Sequence, residues 1–288
     1  MIEQALYEHL ISKNELTDFL GKYAGKPAVF SQEAPADNDD KWEDGKQYAR
    51  IVFAVDIQGD PERAMGGTLA VDIVCKDGEP FPEDIEPVAR KLIHGYFFSA
   101  DSFTVAAQWK NSSYFTEPTN EVCGCTIAFE LLAFPVITTS NPDIIARINA
   151  WTASRFEDVH VINYDKLPAS AWKPTEAKSA VYWRKVQDAP AGWIPDTFQT
   201  IWRTATVRCH IFSDSHAIAS FVGREIITRL YAEKRILKSG ETPIMVNRRN
   251  TEDLGADPLR TGQVSVEATY GIVTHRRTDE MLQHITYT

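Results

Sequence analysis

Cysteine is scarce, with four in 288 residues, and its spacing excludes a disulfide scaffold or a zinc module. Cys75 and Cys209 stand alone in apolar stretches. Cys123 and Cys125 alternate on a strand around Gly124, so both side chains leave by one face. A Cys-x-Cys metal site needs further ligands, and neither a second cysteine pair nor a His-x-x-His follows. Reduced strand cysteines and no bound metal are the expectation. No apolar run approaches the roughly 18 residues that span a bilayer, so no membrane partner is expected. The segment "MIEQALYEHLISKNELTDFLG" lacks a basic n-region and a cleavage site, which points to folding in the cytoplasm of the producing cell.

Signatures of catalysis are missing too. Gly66-Gly67 reads as a turn, without the Lys and Ser or Thr that complete a phosphate-cradling loop. No Gly-x-Ser-x-Gly elbow occurs. Asp39-Asp40 falls in a charged loop, and Glu83-Asp84 opens a helix, where the dipole favours acids. His210, Asp214 and His216 flank one strand-to-helix turn and form the single candidate acid/base or metal constellation. The weightier reading takes His216 as an ordinary polar residue at a helix start. No catalytic residue, cofactor or metal is therefore expected.

Positive charge is lacking in the first half. Residues 1–140 hold 23 acids against 11 bases, and the remainder 17 against 19, within a net charge of −10. An acidic half repels nucleic acid. That argues against a duplex-binding protein, though not against a channel through which DNA slides. Small basic clusters at 247–250 and 275–277 read as a solvated face or inter-subunit salt bridges.

What is present is a repeated grammar. The first half spells a helix (Ile2, Ala5, Leu6, Leu10, Ile11), a short strand at 26–30 and a polar loop. Strands at 48–57 and 68–75, a helix at 83–97 and strands at 103–109 and 122–134 follow. The second half spells a helix with Asn141 as N-cap and Pro142 at its first position. After it come strands at 159–164, 179–186 and 200–212, a helix at 215–232, and strands at 243–248 and 262–273. The order α-β-β-β-α-β-β thus occurs twice at offsets of roughly 130 to 140 residues, far beyond the 20–50 of solenoid repeats. Seven tryptophans accompany it, and Trp172 and Trp193 lie in proline-flanked loops, where exposed aromatics signal protein contacts.

The expected fold class is α+β, as two similar domains, 1–139 and 140–288. Each is a mostly antiparallel sheet with helices packed on one face. The long strands 122–134 and 262–273 lack proline and are expected as edges that need a covering partner.

The series "MIEQALYEHLI", "YARIVFAVDI", "TLAVDIVC" and "EDIEPVARKLIHGYF" resembles the tail-terminator (tail-completion, head–tail joining) proteins of long-tailed phages, over roughly residues 1–135. The internal repeat extends the likeness to 277. The resemblance implies a virion protein without catalytic residues that forms a ring at the head-proximal end of the tail tube. Its partners would be itself, the tail tube protein and a head connector or portal-side protein. DNA would pass through an acidic or neutral lumen without specific binding. The family is usually a single domain in six-membered rings. A tandem copy leaves open three chains in pseudo-sixfold arrangement or six chains in two layers. Another connector or baseplate component, or an enzyme using His210, Asp214 and His216, are the alternatives.

Overall fold

The structure, a computed structural model, describes residues 1–59, 66–76, 80–100, 103–117, 121–136, 142–165, 169–197, 199–237, 242–247, 249–253 and 255–273. The first elements are α1 (Ile2–Ile11), α2 (Asn14–Thr17), β1 (Lys22–Tyr23), β2 (Lys26–Pro27), β3 (Val29–Ser31), β4 (Arg50–Gln58) and β5 (Gly66–Lys76). Next come α3 (Pro82–Ile93), β6 (Phe97–Ser99), β7 (Phe103–Glu117) and β8 (Val122–Pro135). Then follow α4 (Ile144–Arg155), β9 (Val159–Val161), β10 (Ala171–Trp172), β11 (Ser179–Pro190) and β12 (Thr200–Phe212). The last are α5 (His216–Glu233), β13 (Arg235–Ile236), β14 (Ile244–Val246), β15 (Thr251–Glu252) and β16 (Val264–Val273). No helix among the described residues is long and apolar enough to cross a membrane.

The chain divides into two compact units. Unit 1 comprises Met1–Val136 and Lys166–Lys173, and unit 2 comprises Ile137–Asp165 and Pro174–Thr288. The division expected at 139/140 lies close to the first break, while Lys166–Lys173 returns to unit 1.

Both units are mostly antiparallel sheets with helices on one face. Unit 1 runs β10-β6-β7-β8-β5-β4-β3, and unit 2 runs β13-β14-β16-β12-β11-β9, with β15 also on β16. β3 lies parallel to β4, and β9 lies parallel to β11. The other sheet pairings are antiparallel. Matched by order, β6 and β13 follow their long helices, β7 and β14 come next, and β8 and β16 close each unit. Strand order and sense therefore agree for the six matched strands; among the described residues β10 has no counterpart beside β13, and β15 has none in unit 1.

Alternation explains the cores. In β5, Leu69, Val71, Ile73 and Cys75 are buried while their neighbours face outward. They join Leu6 and Leu10 of α1 and Ile85, Ala89 and Ile93 of α3 in one cluster. In unit 2, Val207, Cys209 and Ile211 of β12 pack with Ile144 and Ile148 of α4 and Ile226 and Leu230 of α5. Local chemistry sets the helix ends. The Asp143 carboxylate caps α4 by accepting from Ile145 and Ala146 N–H at 3.0 Å each, and Ser215 caps α5 through Ala217 N–H. α4 thus starts at Ile144, later than an Asn141 cap would place it.

Four expectations need correction. The helix expected over 83–97 stops at Ile93, because Gly95 takes a positive φ of 77° and turns the chain into β6. The strand expected over 103–109 runs on to Glu117, since its polar half pairs with β8 across a bulge at Trp109/Asn111. Strands 122–134 and 262–273 are not edges: β8 lies between β7 and β5, and β16 between β12 and the pair β14 and β15. Trp172 is buried in β10, its ring 5.9 Å from Phe97, while Trp193 is 62% exposed as expected. Pro61, Met65, Asp77, Gly78, Thr139, Ser140, Asn141, Pro168, Arg248 and residues 274–288 lie outside the described residues.

Candidate functional site

His210 is fully buried at the end of β12, with both ring nitrogens engaged. Arginine can only donate, so Arg184 Nε, 2.9 Å from Nε2, makes that nitrogen the acceptor. The proton then sits on Nδ1 and is donated to Pro258 O at 2.7 Å. The ring stacks on Phe212. A general base needs an available lone pair, and this imidazole's lies against a guanidinium. Asp214 and His216 are exposed on the turn and first residue of α5. The three residues adjoin in sequence, but the structure gives His210 a packing role.

Among the described residues no group of three or more His, Cys, Asp or Glu is placed to hold a metal. All four cysteines are free. Burial pushes the Cys75 thiol up to about 12 and the Cys125 thiol up to about 11. Cys209 is driven up by burial alone. These are thiols that pack and do not attack.

A charged cluster that the sequence did not flag lies at the far end of the second sheet. Asp188 accepts from Arg203 Nε at 2.7 Å, Lys185 Nζ at 2.8 Å and Tyr270 Oη at 2.6 Å. The β11 bulge between Lys185 and Gln187 turns Asp188 toward Ala205, on the core side of the sheet. Burial raises the Asp188 pKa, but the three donors outweigh it and hold the carboxyl below the usual carboxylate value. A depressed folded pKa contributes stability above the unfolded value of about 3.9, and that stability is lost as pH falls through the folded one. Asp188→Asn is therefore expected to lower stability at pH 7 and to flatten the decline below about pH 4. Urea unfolding at pH 3 and pH 7 checks this, and equal losses at both would contradict it.

Two concavities lie away from His210. One, of 570 Å³, belongs to unit 1 and lies between α1 and the β1–β2 hairpin, where Tyr7, Tyr23 and Phe30 line it. The other, of 350 Å³, lies between α4 and β13, lined by Arg147, Trp151, Arg155, Glu233, Arg235 and Leu237.

No protein-family model, curated protein or solved structure matches this chain.

The 350 Å³ groove has the more deliberate construction. Arg147 is buried and donates from Nη1 to Thr242 O at 2.6 Å and from Nη2 to Ile236 O at 2.8 Å, anchoring β13 to α4. Glu233 accepts from Trp151 Nε1 at 2.9 Å and from Arg155 Nε at 2.8 Å. The Arg155 bond first, against a smaller effect of burial, holds the Glu233 carboxyl below its ordinary value. One signal could have found this place. Ile144, Arg147, Ile148 and Trp151 share the helical stripe, and an arginine on a buried stripe needs acceptors.

Proposed function

We propose that this chain is a self-assembling structural subunit of a long-tailed phage virion, closing the tail tube at the neck and offering a surface to the head connector. One observation carries the reading: two units of the same strand order follow each other in one chain, and β10 completes the first sheet although it lies in sequence between two strands of the second. A tandem copy suits a closed ring built from one repeated heterologous contact. The acidic first half suits a lumen through which DNA slides with weak attachment. In this reading the role is structural, and of the three residues offered as a catalytic constellation His210 has both ring nitrogens engaged in packing contacts. In this reading the chain folds in the host cytoplasm and meets itself, the tail tube protein and a portal-side protein.

Cryo-electron microscopy of the particle tests the proposal. The expected result is a ring at the junction of tube and head, of three chains in pseudo-sixfold arrangement or six chains in two layers. The same chain found only at the baseplate, or missing from purified virions, would overturn it.

A further inference from the structure

The concavity between α1 and the β1–β2 hairpin is walled by three aromatic rings, and every residue that lines it belongs to unit 1. β1 and β2 have two residues each, joined by a turn at Ala24 and Gly25 with φ of 50° and 81°. The hairpin sets Tyr23 beside Phe30 of β3, and Trp42 closes a triangle with them. Ring centroids are 5.0 Å apart for Tyr23 and Trp42 and 5.7 Å for the other two pairs. All three contacts are edge-to-face, an arrangement that ring quadrupoles favour. Trp42 is buried and donates from Nε1 to Ala36 O at 3.0 Å. It does not line the concavity, so it braces from behind the two half-buried rings that do.

Tyr7 of α1 supplies the opposite wall. α1 packs against β3, yet Tyr7 makes no ring contact with Tyr23 or Phe30. Its Oη also has no hydrogen-bond partner among the described residues. The opening so left measures 570 Å³. Ligand pockets run from about 300 to about 1,000 Å³.

Ring chemistry and charge identify the occupant. Glu3 and Glu33 line the concavity, and neither carboxylate has a partner among the described residues. Tyr23 Oη donates to Asp39 Oδ2 at 2.9 Å. A phenol that donates to a carboxylate gains electron density, and its ring face then draws a cation more strongly. The Lys41 N–H first, and then Tyr23, hold the Asp39 carboxyl below its usual value, so that acceptor stays charged. Lys26 is the one cationic side chain lining the site. It is exposed, and among the described residues it pairs with no acid and covers no ring. Aromatic faces bordered by free carboxylates are the chemistry that binds an organic cation. Among side chains, the planar guanidinium can meet a ring by its face and a carboxylate by its fork.

We propose that this concavity is a cation site that takes an arginine side chain of a partner protein. The guanidinium enters among Tyr7, Tyr23 and Phe30, within reach of the Glu3 and Glu33 carboxylates, and donates to the Tyr7 hydroxyl. Because Trp42 holds two of the rings in place, little ordering is left for the moment of binding. The inference stands apart from where the chain sits in a virion and names the chemistry of a partner surface.

The test titrates the full-length chain, isotopically labelled, with acetyl-arginine methylamide and follows backbone amide shifts. Saturable shifts confined to residues 3–7 and 23–33 are expected. The lysine counterpart should bind more weakly, and the norleucine and glutamate counterparts should not saturate. Tyr7→Leu should weaken binding about fivefold. Glu33→Gln should weaken it as well, while Lys26→Ala should strengthen it, a gain that a merely structural role would not produce. Far-UV circular dichroism checks that each variant is folded, and the two exposed sites, Glu33 and Lys26, carry the test if Tyr7→Leu is not. Equal binding of the norleucine probe would make this an apolar groove only. Tighter binding of the glutamate probe would make it an anion site of Lys26, and equal binding of the lysine probe would remove the choice of arginine. Each of these, like a titration without saturable shifts at these residues, would overturn the proposal.

Discussion

Trp183→Ala is expected to destabilise unit 2 by about 3–5 kcal/mol, the range for deleting a large aromatic side chain from a core. Trp183 is 1% exposed on β11 and packs in the second core with Ile148, Val207 and Ile226. Its Nε1–H donates to Thr152 Oγ1 at 3.0 Å, and that hydroxyl donates in turn to Ile148 O at 2.8 Å. The ring thus ties the sheet to the backbone of α4, the helix that walls the 350 Å³ groove. Alanine removes the packing and leaves a large void. Phenylalanine keeps most of the volume and removes the hydrogen bond, which costs about 1–2 kcal/mol. A chain of two units need not unfold in one step, so amide exchange resolved by segment is the appropriate readout. Protection should fall in α4, β11 and β12 and hold in β5 and β8. A Trp183→Ala loss within 1 kcal/mol of the phenylalanine variant would mean the core closes around the deletion.

Much of this fold was legible from periodicity. β5 alternates buried and outward residues at every step, and a stretch such as Leu69-Ala70-Val71-Asp72-Ile73 cannot sit as a helix without breaking its stripe. The repeated element order was also legible, because long helices and long strands carry strong signals. The short pieces were not. β6, β10 and β13 have two or three residues each and no period to detect, yet they set the outer edge of both sheets. The polar end of β7, Lys110 to Glu117, reads as loop because its strand character comes from pairing with β8. The site followed the same division. His210 was legible as a chemical candidate, but its burial against Arg184 and Pro258 depends on residues 26 and 48 positions away. The groove between α4 and β13 is framed by Arg147, whose acceptors on Ile236 and Thr242 lie 89 and 95 positions away.

Gly67→Ala tests the other large constraint, close backbone approach in unit 1. Gly67 lies in β5 opposite Ile57 on one side and Leu131 on the other. A Cβ there would stand 2.1 Å from Asp56 O and 3.1 Å from both Asp56 C and Ile57 Cα. All three are backbone atoms, so no rotamer change relieves the overlap. The β4–β5 ladder must open locally, and overpacking of this kind costs about 3 kcal/mol. Gly59 is the internal control, one residue past the end of β4, with nothing within 4 Å of an added Cβ. Gly59→Ala should be neutral or stabilise by about 0.5 kcal/mol through the unfolded chain. Gly124 is intermediate in kind. An added Cβ meets Phe115 Cζ at 2.3 Å, which can swing away, but also Ile73 O at 2.5 Å, which cannot. Phe115 lies directly across the ladder from Gly124, so its ring occupies the space the glycine leaves open. Urea midpoints should rank Gly59→Ala above Gly124→Ala and Gly124→Ala above Gly67→Ala. Exchange protection in Gly67→Ala should fall first at residues 54–58. If Gly67→Ala matched Gly59→Ala, the strands would have to separate freely at that point.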